Sequence, residues 1–133
     1  MKPFHIEIVT PDGTAYSGEV ESLLVRTSDG DTEILCGHAD YMAPVGTGRA
    51  RLIIDGKARY ASVNGGFLSV SGGSVNLVTI TCEFADQIDL KRAEKAKERA
   101  EEALKNAKSD KEIDLAKAKL LRAMSRISVA GYK

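Results

Sequence analysis

Four arginines and two carboxylates in the C-terminal half of the chain have the types and spacing to hold a phosphate-bearing ligand. Asp89, Arg92 and Arg99 are separated by three and seven residues, which on a helix keeps them within about 80° of arc. Arg122 and Arg126 are four apart, a separation of about 40°. If both stretches are helical and the chain turns near Lys108, the second stripe lies level with residues 91–95 and the guanidiniums converge. Such a cluster repels itself unless Glu83, Asp89 or a bound anion neutralises it. Planar guanidinium forks match phosphate oxygens better than scattered lysines do, so one reading is a polyphosphate site. The other is a set of solvated arginines paired with neighbouring glutamates, and spacing alone leaves both open.

No catalytic constellation competes with these readings. The sequence has no phosphate-cradling Gly-x-x-x-x-Gly-Lys-Ser/Thr stretch, no paired histidines for a metal and no nucleophile elbow. Gly65-Gly66 and Gly72-Gly73 fit turns rather than phosphate loops. Intrinsic hydrolysis of a nucleotide is not expected. Cys36 and Cys82 stand 46 positions apart, without metal-ligand spacing, and read as free thiols half buried in strands. His5 falls on the polar face of a strand and reads as solvated.

Nineteen basic against nineteen acidic side chains leave no overall field to draw the chain onto nucleic acid or an anionic membrane. The seven aromatics show no stacking pattern for single strands. Met1 to Ile8 alternates charged and apolar residues, unlike a secretory signal. No window approaches the roughly 18–20 apolar residues of a membrane span, so membrane association is expected only through a partner.

The elements that position the arginines follow from a break in composition. Eleven of twelve glycines lie at or before Gly73, and Pro3, Pro11 and Pro44 all lie in the first third. Ala, Lys, Glu, Leu and Arg dominate after Ala85, the vocabulary of helix. Charge divides at the same place: residues 1–86 carry six basic and eleven acidic side chains, residues 87–133 thirteen basic and eight acidic. The boundary is placed at Ala85 to Gln87, giving a β domain over 1–86 and a helical domain over 87–133.

In the first domain Phe4, Ile6 and Ile8 alternate with His5 and Glu7, and Leu68 and Val70 alternate with Phe67, Ser69 and Ser71, the period of half-buried strands. Turn signals recur at Asp12-Gly13, Asp29-Gly30, Asp55-Gly56 and Gly72-Gly73. So many short strands predict a sandwich or flattened barrel. In the second domain Ala93, Ala96, Ala100, Ala103, Leu104 and Ala107 follow helical spacing, as do Ile113, Ala116, Leu120, Ala123, Met124 and Ile127. Ser109-Asp110-Lys111-Glu112 matches a capping box, and Gly131 suits a C-terminal cap. The fold class is therefore α+β by segregation, an all-β unit followed by an antiparallel two-helix hairpin.

The alanine seam of the first helix has a mechanical consequence. Replacing leucine by alanine forfeits about 2 kcal/mol of burial per position. A hairpin so stitched docks weakly and can exchange between a folded-down and an opened form; straightened, residues 88–130 reach roughly 65 Å at 1.5 Å per residue. A permanently docked hairpin is the other reading.

These residues resemble a family. Ile88-Asp89-Leu90-Lys91-Arg92-Ala93 looks like the Ile/Leu-Asp-x-x-Arg-Ala motif with which some epsilon subunits of bacterial rotary F-type ATP synthases bind ATP. The resemblance covers the whole chain, through Val9-Thr10-Pro11-Asp12-Gly13, Gly37-His38-Ala39, Gly65-Gly66-Phe67-Leu68 and Leu121-Arg122-Ala123-Met124-Ser125-Arg126, in that order. It implies a β-sandwich gripping the gamma subunit and the c-ring, and a hairpin able to rise along gamma and block hydrolytic rotation. It implies a non-catalytic central-stalk subunit at the cytoplasmic face of the bacterial membrane, needing no cofactor and taking ATP as a regulatory ligand.

The ATP positions implied by the resemblance are Glu83, Ile88, Asp89, Arg92, Ala93, Arg99, Arg122 and Arg126. Glu83 and Asp89 are assigned to the adenine amino group, Ile88 and Ala93 to the ring, and the arginines to the phosphates. Lys117 and Lys119, with Arg122 and Arg126, become candidate contacts to the catalytic beta subunits of the alpha/beta head in the extended form. One segment departs from the family pattern: Thr32-Glu33-Ile34-Leu35-Cys36-Gly37-His38 replaces a longer Gly-x-Leu-Pro-Gly-His stretch that faces the c-ring, where Asp31 and His38 are the candidate contacts. The alternative from another class is a stand-alone ATP-sensing adaptor, distinguished by failure to bind a gamma subunit.

Overall fold

Alternation of apolar and polar residues builds two five-stranded sheets packed face to face in the computed structural model, which describes residues 2–132. The first sheet runs β2 (Gly13–Val20), β1 (Phe4–Thr10), β9 (Ser74–Val78), β8 (Phe67–Ser71) and β5 (Tyr41–Pro44). The second runs β10 (Thr81–Phe84), β7 (Lys57–Asn64), β6 (Gly48–Ile54), β3 (Ser22–Thr27) and β4 (Gly30–Ile34). All neighbours are antiparallel except β1 and β9. The sheets do not close on each other, so the architecture is a sandwich and not a barrel. Inward residues of both layers, among them Phe4, Ile6, Ile8, Leu23, Leu52, Val63, Leu68, Leu77 and Phe84, form one core.

Turn chemistry sets the register. Asp55 and Gly56 both take positive φ, 51° and 77°, the pair of angles a type I′ hairpin turn requires, and Ile54 pairs with Lys57 directly across it. Gly66 serves a different purpose: a Cβ there would lie 1.8 Å from the Val78 carbonyl oxygen, so no side chain fits where β8 begins against β9.

A single 3-10 turn, Ala85–Gln87, links the sandwich to two helices, α1 (Leu90–Lys105) and α2 (Asp110–Ala130). Asp89 caps α1 by accepting the Arg92 amide at 3.2 Å. Ser109 caps α2 by accepting the Glu112 amide at 3.2 Å. The Glu112 carboxylate accepts from Lys108 N–H at 2.8 Å, one residue earlier than a capping box predicts, with Ser109 itself extended. Gly131 does cap α2, but at φ −68° it is right-handed, so its freedom from a side chain is not what ends the helix.

Helix α2 lies over β6, β7 and β10 of the second sheet, and α1 packs on α2. At the root of the hairpin Ala85, Ile88, Val129 and Ala130 are buried together beside Tyr60. Tyr132 stacks on Tyr60 with ring centroids 4.0 Å apart and planes at 23°. Arg49 lies 5.5 and 5.2 Å from those two ring centres and donates to the Tyr132 hydroxyl. Along the seam only Ala93 and Ala100 of α1 and Ala116 and Ala123 of α2 are buried. Ala103 and Met124, expected in the seam, are exposed. Met124 follows Ala123 and is therefore turned about 100° from the buried stripe.

Candidate functional site

The weak seam leaves space. A cavity of about 670 Å³ opens between the second sheet and the hairpin, within the roughly 300–1,000 Å³ range of pockets that hold small organic ligands. Its apolar lining comes from Ala96, Ala100, Ala103 and Ala123 with Ile80, and its polar lining from Glu83, Arg99, Arg122 and Arg126 together with strand residues. Small side chains on facing helices make room that leucines would fill, so the feature that weakens docking also forms the cavity.

Glu83 on β10 and Arg126 on α2 meet across the cavity edge, Arg126 Nε 2.8 Å from Glu83 Oε1 and Nη2 donating to Oε2 at 3.3 Å. This pair ties the hairpin to the sandwich, as does the Ser62 to Ser125 hydroxyl bond of 2.8 Å. Arg99 and Arg122 make no ion pair among the described residues, although both line the cavity. Two uncompensated guanidiniums beside an apolar lining suit a flat ring carrying phosphates.

Of the eight residues expected at a nucleotide, these four, Glu83, Arg99, Arg122 and Arg126, line the cavity. Ile88 and Ala93 are buried at the root and in the seam. Asp89 and Arg92 are exposed at the start of α1, Asp89 as its cap. Arg92 lies on the same helical face as Arg99, about 10 Å nearer the root. Sequence reading did not find the sandwich wall of the cavity, made by Ser62, Asn64 and Thr81. A signal existed: Ser62 and Asn64 alternate with the core residues Ala61 and Val63, and Asn64 pairs with Thr81 as Ser62 pairs with Glu83.

The remaining candidates lie elsewhere. Asp31 on β4 is paired with Arg26 at 3.2 Å. His38, in the loop between β4 and β5, holds its Nδ1 2.7 Å from the Ala39 carbonyl and its ring edge-on to Tyr41. Lys117 and Lys119 are exposed on α2, and Lys119 borders the cavity. Cys36 is exposed in that same loop, not half buried in a strand, whereas Cys82 on β10 is partly buried and its thiol is pushed up to about 11 by desolvation.

A second surface lies on the outer face of the first sheet. Val9 pairs with Val78, Val78 with Phe67 and Phe67 with Pro44, so one register row carries apolar side chains across four strands. Val9, Val78 and Phe67 are exposed at 37%, 51% and 45%. A contiguous exposed row of this kind marks a contact surface. Among the described residues no helix is long and apolar enough to cross a membrane.

Fold and cavity together define a class: a firmly packed β-sandwich that carries a lightly seated two-helix hairpin. Comparison with known proteins agrees. The family model described as ATP synthase, Delta/Epsilon chain, beta-sandwich domain matches residues 3–85, and that described as ATP synthase, Delta/Epsilon chain, long alpha-helix domain matches residues 86–131. The chain is 42% identical over 131 residues to the ATP synthase epsilon chain of Bacillus velezensis, covering 98% of this chain and 99% of that one. It is 40% identical over 134 residues to the epsilon chain of Ruminococcus albus, with both chains covered in full. A chain in the cryo-EM structure of the Euglena gracilis mitochondrial ATP synthase (OSCP/F1/c-ring, rotational state 1) shares the fold, with a TM-score of 0.82 at 19% identity over 98% of this chain and 82% of that one. The chain belongs to the epsilon-chain family of F-type ATP synthases.

Proposed function

We propose that this chain is a non-catalytic central-stalk subunit whose sandwich holds the rotor together and whose hairpin regulates hydrolysis, with ATP stabilising the folded-down, non-inhibitory form. Residues 1–86 are the docking part, meeting the gamma subunit and the c-ring, and residues 87–133 the regulatory part. The apolar row Val9, Val78, Phe67 and Pro44 supports docking of the sandwich. The complex would hold the chain at the cytoplasmic face of the bacterial membrane. The observation that carries the regulatory reading is the cavity between sandwich and hairpin, with Arg99 and Arg122 unpaired in its lining.

The mechanism is a shift of population. A ligand that binds only the closed form stabilises it by RT ln(1 + [L]/Kd), about 2.7 kcal/mol at one hundred times Kd. That is comparable to the burial forfeited by one or two alanines in the seam, so ATP at cellular excess decides the hairpin's position. Arg122 and Arg126, with Lys117 and Lys119, would face the beta subunits once extended. The two arginines cannot serve the nucleotide and the beta subunits at once, which makes the two states exclusive. In the closed form Glu83 marks the base end, while the arginines, Arg99 and Arg122 unpaired among them, take phosphate oxygens.

Calorimetric titration of the full chain with ATP tests this reading. Saturable binding is expected, weakened about tenfold or more by Arg122→Ala and by Arg126→Ala, since each removes a charge-assisted bond worth roughly 1.5–3 kcal/mol. Absence of binding by the parent chain would overturn the ATP reading.

A further inference from the structure

The end of the cavity remote from Tyr132 carries donors that no family motif accounts for. Helix α2 runs antiparallel to β7, because Tyr132 stacks on Tyr60 while Ser125 bonds to Ser62. Following both elements onward places Arg122 and then Lys119 opposite Asn64, and all three line the cavity.

Asn64 is held firmly. Its backbone N–H donates to the Thr79 hydroxyl at 3.3 Å and its carbonyl accepts from the same hydroxyl at 3.1 Å. The Thr47 hydroxyl donates to Asn64 Oδ1 at 2.6 Å. In that bond the carboxamide oxygen accepts, which leaves Nδ2 as the free end of the amide. Its Nδ2 hydrogens are left without a partner among the described residues, on a side chain that borders the cavity. Lys119, which likewise makes no ion pair among the described residues, borders it from α2.

We infer that Asn64 and Lys119 bind the terminal phosphate of the nucleotide and set the preference of the site for a triphosphate over a diphosphate. The inference rests on the ATP reading above and extends it to the sandwich wall. A triphosphate differs from a diphosphate in one charged group with additional acceptor oxygens. An ammonium and an oriented amide donor at the end farthest from the Glu83–Arg126 pair are complementary to that group. Because Asn64 belongs to the sandwich and Lys119 to α2, the terminal phosphate bridges the two parts and closes the hairpin. A diphosphate reaches the arginines but does not make this bridge.

The test is calorimetric titration of the full chain with ATP and, separately, with ADP, for the parent, Asn64→Ala, Lys119→Gln and Thr47→Val. Asn64→Ala and Lys119→Gln are each expected to weaken ATP binding about tenfold and ADP binding by less than about twofold. Thr47→Val frees the carboxamide to turn and should produce a smaller loss, again for ATP alone. Lys119 is exposed, so its substitution leaves the fold in place should the Asn64 variant fold poorly. Equal losses for both nucleotides, or no loss, overturn this inference while leaving the ATP reading intact. Failure of the parent to bind either nucleotide overturns the ATP reading itself.

Discussion

The sandwich and the hairpin are built from different grades of the same interaction. Between the sheets, Phe84, Ile6, Ile8, Leu23, Ile34, Leu52, Leu68 and Leu77 are buried almost completely. Along the hairpin seam the buried residues are alanines, and larger apolar burial returns only at the root, in Ile88 and Val129. Fully burying a leucine or isoleucine is worth about 1.5–3 kcal/mol, several times an alanine methyl. The sandwich is therefore a cooperative unit. The hairpin is held at one end and lightly along its length, which is what the proposed opening requires: it would leave without unfolding what it sits on.

This contrast breaks most visibly from the sandwich side. Leu52→Ala is expected to cost about 2–5 kcal/mol, because the rigid sheets cannot collapse onto the cavity left behind. Urea unfolding followed by β-sheet and helix signals should show both lost together, since the hairpin has no core of its own to survive on. A helical signal that outlasts the sheet would show the hairpin to be independently stable.

The hairpin side should respond more mildly and separately. Tyr132→Ala removes an aromatic stack and the acceptor of the Arg49 bond, interactions worth together about 1–2 kcal/mol. Hydrogen exchange should accelerate across α2, with β1, β8 and β9 unchanged. Acceleration in those strands as well would mean that the two regions form one cooperative unit.

Smaller effects come from titration. The Cys82 thiol, raised by burial to about 11 in the folded chain, has an ordinary value of 9.0. A raised folded value contributes stability in full below the unfolded one and loses it as pH rises through the folded one. The unfolding free energy from urea titration should therefore fall between about pH 9 and 11, by on the order of 1 kcal/mol at pH 10, and Cys82→Ala should flatten that limb. A limb that stays unchanged in the variant would assign it to other groups. At the acid end Glu7 is held below the usual carboxylate range, first by the Ser17 hydroxyl and then by His5. Its contribution is present above the unfolded value and lost as pH falls through the folded one, and its exposure keeps it the smallest of these effects.

Much of the fold was legible from residues near one another in the chain. Alternation placed Ile6, Ile8, Leu68 and Val70 inward because a strand's period of two is local geometry. Asp55-Gly56 marked its turn because few other residues take two positive φ values in succession. Ser109 marked the start of α2 because capping uses atoms within four residues. The charge and composition break near Ala85 showed where one kind of structure gives way to another. The site was legible in part: four of the eight expected residues line the cavity, and these are the ones whose neighbours across the gap are helix faces or the adjoining strand.

Only the tertiary structure decided the rest. It put Asp89 at a helix cap and Ile88 in the root cluster, since which side of a helix meets the sheet depends on how the whole hairpin is seated. It joined Glu83 to Arg126 across 43 residues and Tyr60 to Tyr132. It also brought Asn64, a polar residue at the end of a strand, into the lining of one cavity with Lys119 and Arg122. Sequence carries propensity and period, which act over a few residues. A cavity is the space left between surfaces brought together from distant parts of the chain, and no local pattern specifies it.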